Sequence, residues 1–151
     1  MSKVIVSDTT CLILLDKLNL LFILKELFED ITITPEIEKE YGQQLPEWIK
    51  VVDVQNKIYS TMLLSTIDAG EASAIALAME KQNCLLILDD NKARKAAARL
   101  GIDYIGTLGL LVEAKDAGLI QLVKPILVQI KMTNFRIAEN IERQILKLAG
   151  E

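Results

Sequence analysis

Histidine is absent from the 151 residues. That removes imidazole general bases, histidine-containing nucleophile triads and most zinc catalysis. Any chemistry rests on carboxylates, hydroxyls, Lys, Arg or a hard metal ion. Cysteine is scarce. Cys11 and Cys84 lie inside apolar segments without metal-ligand spacing and read as buried thiols. Aromatic residues make up 5% of the chain and are scattered, so no stacking platform for single-stranded nucleic acid is visible. Excess positive charge is also missing. The net charge is −4, so attraction for nucleic acid would have to come from a local patch. No apolar run is long enough to span a bilayer. Met1-Ser2-Lys3 leads straight into a predicted strand and not a signal peptide, so the expectation is a cytoplasmic protein without membrane contact.

What is present suits helices packed on a sheet: 51% of residues are hydrophobic, with Leu, Ile and Ala prominent. The length predicts one domain, residues 1–151. Strand-like and helix-like patterns alternate. Strands are predicted at Lys3–Ser7, Ile31–Thr34, within Trp48–Val54, at Leu85–Leu88 and at Asp103–Ile105. Helices are predicted from Thr9 or Thr10 as cap to about Leu18, then at Leu20–Phe28, Pro35–Tyr41, Ile58–Leu64, Asp68–Lys81, Asn91–Leu100, Thr107–Ala117, Pro125–Met132 and Arg136–Leu148. Alternation of this kind predicts a three-layer α/β/α fold with a central, mostly parallel sheet.

The run Leu85-Leu86-Ile87-Leu88-Asp89-Asp90 carries the chemical signal. Four apolar residues, the length of a strand buried on both faces, run into two adjacent carboxylates. Ligands in open α/β sheets bind outside the carboxyl ends of the strands. Asp8 ends the first predicted strand, and parallel strands put such ends along one edge. Glu40 lies a little over a turn into its helix, and Glu71 sits in the first turn of an Ala-rich helix. Singly, each acid could merely favour a helix N-terminus. Together, four or five acids without histidine match what Mg²⁺ or Mn²⁺ requires, since these ions take oxygen ligands. Two such ions, about 3.5–4 Å apart, can activate water and stabilise the leaving oxygen of a phosphodiester. The helix after Asp90 carries Lys92, Arg94, Lys95 and Arg99. They read as a solvated face or as phosphate contacts beside the acids, with Arg94 about one turn from Asp90.

The order of these segments resembles the PIN domain. The resemblance rests on Val4-Ile5-Val6-Ser7-Asp8-Thr9-Thr10, then Pro35, Ile37 and Glu40, then Gly70-Glu71 with Ala74-Ile75 and Leu77-Ala78, and then Leu88-Asp89-Asp90 with Arg94. It narrows, through Gly106-Thr107-Leu108-Gly109-Leu110-Leu111 and Ala114-Lys115 to Gly118-Leu119-Ile120, to a PIN-like branch related to VapC-type toxins. It covers the chain from about Val4 to the C-terminus. It implies a metal-dependent endoribonuclease with Asp8, Glu40, Glu71 and Asp90 as catalytic acids holding Mg²⁺ or Mn²⁺. Asp89 is an added ligand or a helix cap, and Glu71 stands where the wider family often has Asp. Arg94, Lys92 and Thr9 are candidate RNA contacts, and Lys115 is a weaker one. The resemblance also implies a small antitoxin partner and a homodimer. The apolar helices over Cys11–Phe28 and the stripe Ile137, Ile141, Ile145, Leu148 are either core or the face that such partners cover.

Three other readings compete. A phosphohydrolase of another doubly wound fold needs an acid two residues after Asp8, where Thr10 stands. A receiver-like signalling domain needs its acid pair on the first strand. A catalytically degenerate PIN-like module would bind RNA or protein without cutting it.

Overall fold

The computed structural model describes residues 3–151; Met1 and Ser2, read as the lead into the first strand, lie outside the described residues. Five strands form one sheet: β1 (Val4–Ser7), β2 (Ile31–Ile33), β3 (Ile49–Val51), β4 (Cys84–Ile87) and β5 (Asp103–Ile105). The order is β3-β2-β1-β4-β5 and every pairing is parallel. Helices flank the sheet in three α/β/α layers. Consecutive residues Ile5, Val6 and Ser7 are all buried, as in a strand covered on both faces. The edge strands β3 and β5 are short and mostly exposed.

The chain starts in the middle of the sheet. It winds outward through β2 and β3, then returns to the other side of β1 for β4 and β5. The direction of winding therefore reverses between β1 and β4, and that reversal opens a crevice at their carboxyl ends. β1 and β4 are in register from Val4 opposite Cys84 to Ser7 opposite Ile87. Asp8 and the Leu88-Asp89-Asp90 run thus leave the sheet side by side.

Helix starts fix what lies along that edge. α1 (Thr9–Lys17) is capped by Asp8, whose carboxylate accepts from the Cys11 N–H at 2.9 Å. The cap is the strand-end acid and neither Thr9 nor Thr10. Asp8 stands at the last non-helical position, from which its side chain reaches the Cys11 N–H. α2 is Phe22–Phe28. α3 (Pro35–Tyr41) has Thr34 as cap, Pro35 in its first turn and Gly42 in the left-handed conformation (φ 69°) at its end. α4 is Ile58–Leu63. α5 (Ala69–Glu80) is capped by Asp68 and buries Gly70 and seven more residues as far as Ala78. α6 (Asn91–Arg99) is capped by Asp90. α7 (Thr107–Asp116), α8 (Lys124–Lys131) and α9 (Glu139–Leu148) complete the chain.

The two apolar segments left open between core and partner face part company. The segment Cys11–Phe28 supplies core, with Cys11, Leu12, Leu15, Ile23 and Leu24 fully buried. Exposed large apolar side chains gather instead on and beside α4, at Ile58, Tyr59, Met62 and Leu64. The C-terminal helix begins at Glu139 and not at Arg136, and of its apolar stripe only Ile145 is buried. Ile141 and Leu148 are exposed and line a groove.

Candidate active site at the carboxyl edge of β1 and β4

Asp8 is buried, and both its oxygens are engaged by backbone. Oδ1 accepts from Cys11 N–H, and Oδ2 accepts from Asp89 N–H at 3.0 Å. One side chain therefore ties the start of α1 to the end of β4. Asp89 is held from the other side: Oδ1 accepts from Thr107 N–H at 2.8 Å and Oδ2 from the Thr107 hydroxyl at 2.6 Å. Arg94 Nη2 stands 4.0 Å from Asp89 Oδ1. Arg94 is itself anchored, since its Nε donates to Leu88 O at 2.7 Å and its guanidinium lies over the Tyr104 ring at 5.4 Å. Gly106 leaves room for it, because a Cβ there would sit 2.0 Å from Arg94 Nη2.

The pair Asp89-Asp90 divides by geometry. Asp90 is exposed and turns its Oδ2 to the Ala93 N–H at 3.0 Å, as a helix cap. Asp89 is the acid set beside Asp8. Asp90 is the ligand that the family resemblance favours; here it caps α6 as Asp8 caps α1, while Asp89 is the one whose backbone N–H meets Asp8.

A second group of acids adjoins the first. Asp68 caps α5 by accepting from Glu71 N–H at 2.9 Å. Glu71 is half-buried, and its Oε2 is buried without a hydrogen-bond partner. Glu40 reaches toward α5 over Gly70, where a Cβ would lie 1.8 Å from Glu40 Oε1. Thr9, a candidate RNA contact, donates to Glu40 Oε1 at 3.4 Å. Beneath these groups runs a buried hydroxyl chain: Ser73 donates to Gly70 O at 2.7 Å, and the Thr34 and Ser73 hydroxyls are 2.6 Å apart. The chain fixes the start of α3 against the start of α5, the two helices that carry Glu40 and Glu71. Asp68 and Thr107 were missed as site residues. Asp68 was legible only as the first residue of a predicted helix, three residues before Glu71, and Thr107 only as part of the Gly106-Thr107 motif.

The electrostatics follow from crowding acids in a dry place. Burial, and then the Asp89 charge, push Asp8 up to about 8. Burial raises Asp89 too, opposed by its Thr107 hydrogen bonds and by Arg94. Burial first, then a hydrogen bond and charge from Asp68, then the charges of Asp90 and Asp8, push Glu71 up to about 9. Glu40 is raised by partial burial and by Asp68. The Asp90 and Asp8 charges felt by Glu71 make it the link between the two groups. Among the described residues, however, no three His, Cys, Asp or Glu side chains are grouped closely enough to hold a metal ion.

The remaining candidates are dispersed. Lys92 is exposed on α6. Lys115 is occupied elsewhere, donating to Ala149 O at 2.6 Å and to Glu151 Oε2 at 3.1 Å. Cys11 and Cys84 are free. Among the described residues no helix is long and apolar enough to cross a membrane.

Comparison with curated proteins and with solved structures gives no match. A family model described as DUF3368, PIN domain, matches residues 4–151. That span runs from the first residue of β1 past the end of α9 and takes in every acid described above, so the chain belongs to the PIN-domain family.

Proposed function

We propose that the chain is a metal-dependent endoribonuclease, using Mg²⁺ or Mn²⁺, that hydrolyses RNA phosphodiester bonds. PIN domains are typically nucleases, which gives the reaction class. The observation that carries the reading is the buried Asp8-Asp89 pair at the winding reversal, with the unpartnered Glu71 Oε2 beside it. Buried carboxylates held near one another need a compensating cation, and one arginine is not enough for five acids. The donors are all oxygen, which fits a hard divalent ion. As the side chains stand, no three of the acids are close enough to hold it, so the reading needs Glu71 and Glu40, on longer arms, to swing toward the fixed Asp8 and Asp89, with Asp90 at the rim. The ion would supply a lowered pKa for water and charge neutralisation at the phosphate. Asp8 and Asp89 would keep orientation through their four donors. Arg94 would present its guanidinium edge to a phosphate oxygen, with Lys92 farther out on the same helix.

We further propose that the chain is the toxin of a toxin–antitoxin pair. Exposed apolar residues on and beside α4 would meet a small antitoxin or a second copy in a homodimer. Co-purification of a neighbouring small protein, with loss of binding on Met62→Asp, tests this.

The spread of the acids favours a second reading, a degenerate module that binds RNA or protein without cutting it. Cleavage of single-stranded and structured RNA should appear with Mn²⁺ or Mg²⁺ and vanish with EDTA and in Asp8→Asn. Cleavage indifferent to chelation sinks the metal mechanism. No cleavage together with no calorimetric metal binding leaves the binding module.

A further inference from the structure

A groove of about 410 Å³ opens directly from the acid edge. Asp89, Asn91 and Arg94 line it from the acid edge and α6. Phe135 and Arg136 line it from the segment before α9, and one face of α9 lines it where Ile141, Gln144, Ile145 and Leu148 recur at i, i+3, i+4 and i+7. Leu148 is 63% exposed and Ile141 39% exposed, which is costly unless something covers them.

Resting on the ribonuclease reading, we propose that this groove is a nucleotide subsite: it seats one nucleotide of the RNA next to the scissile bond. The phosphate lies toward Arg94 and Arg136, and the base lies against the α9 face. Three features choose this occupant. Two arginines, Arg94 and Arg136, are among its lining residues and complement a phosphate in a chain of net charge −4. The apolar side chains of α9 take a base face, and the Gln144 amide, both donor and acceptor, can meet a base edge. The volume falls in the lower part of the range for small-ligand pockets.

The test uses the full chain with its isoleucine methyl groups followed by NMR. The probes are the four ribonucleoside 5′-monophosphates and ribose 5-phosphate. Nucleotides should shift the Ile141 and Ile145 methyl signals at millimolar concentration, and ribose 5-phosphate should shift them less. Ile141→Asp, an exposed position that leaves the core intact, should weaken binding about tenfold, the effect of losing one base contact. Arg136→Ala should weaken nucleotides and ribose 5-phosphate alike. No shift with any nucleotide overturns the proposal. Equal shifts with ribose 5-phosphate also overturn it, leaving a phosphate site without a base slot. Methyl shifts that follow protein concentration and not nucleotide reassign the groove to a protein contact. RNA cleavage without nucleotide binding removes the subsite alone; nucleotide binding without RNA cleavage removes the nuclease reading and keeps the subsite.

Discussion

Glu151 and the Asp8-Asp89 pair show two fates for a carboxylate in one chain. Glu151 accepts from Val123 N–H at 2.7 Å, from Lys124 N–H at 3.0 Å and from Lys115 Nζ at 3.1 Å. The backbone bond to Val123 leads in holding it below the usual carboxylate range. There the acid closes the start of α8 and holds the end of the chain against α7. At the carboxyl edge of β1 and β4, carboxylates also accept backbone bonds, yet Asp8 and Glu71 are driven up to about 8 and 9. The difference lies first in burial, since Asp8 and Glu71 are held away from solvent and Glu151 is exposed, and then in neighbours: more acids at one place, a lysine at the other. This protein can satisfy a carboxylate, and the crowded edge is where the proposed chemistry would be set against stability.

The sharpest way to break that contrast is Asp89→Asn. The asparagine keeps an acceptor for Thr107 N–H and can donate to the Thr107 hydroxyl. Metal-dependent RNA cleavage should fall roughly 10²–10³-fold, the range for losing one group that organises transition-state charge. The metal-free variant should melt higher than the native chain, because the repulsion on Asp8 is relieved. A lower melting temperature would show that the pair is not in conflict.

The pH dependence is next in size. Asp8, Asp89 and Glu71 have folded pKa values above their unfolded ones. Their contribution is complete below the unfolded values and is lost as pH rises through about 8 and 9. Denaturant melts of the metal-free chain should therefore show stability falling from mildly acid to alkaline pH, by a few kcal/mol in total. Millimolar Mn²⁺ should restore much of it at the alkaline end, and less in Asp89→Asn. Stability that is flat over that range contradicts the account.

Gly70→Ala tests the second acid group. The added Cβ would meet the far end of a flexible glutamate, so the melting temperature should hardly move. Displacing Glu40 should lower cleavage about tenfold, the scale of a disturbed ligand arrangement. A large loss of stability would mean that Gly70 serves packing.

The smallest effect belongs to Glu151→Gln. It keeps an acceptor for the backbone but loses the charge facing Lys115. Glu151 has a depressed folded pKa, so its contribution is lost as pH falls below the ordinary glutamate value. The native and variant melts should differ slightly at neutral pH and converge in acid, with cleavage unchanged.

The centre of the sheet was readable because β1 and β4 are mainly apolar runs that lead into acids. Helix starts were readable where Pro35 or a capping acid stood, and ends where Gly42 stood. The choice between Asp89 and Asp90 was not, because adjacent residues of one type differ only in where the backbone turns. Asp90 leads a helix, and Asp89 sits where Thr107, eighteen residues on, can reach it. Asp68 stood out only as the first residue of a predicted helix, because its nearness to Glu40 depends on α3 and α5 meeting through Thr34 and Ser73. The start of α9 was placed early because Ile137 continues the period of Ile141 and Ile145, although no capping side chain stops the chain before Ala138.

The four donors on Asp8 and Asp89 have an arithmetic of their own. An ionised carboxylate has about four acceptor positions, two to each oxygen. Asp8 commits one on each oxygen, to Cys11 and to Asp89; Asp89 commits one on each oxygen, to Thr107. Each therefore keeps one lone pair per oxygen. If the proposed ion binds there, Asp8 and Asp89 would offer it oxygens fixed in direction, and Glu40 and Glu71 would supply the adjustable reach.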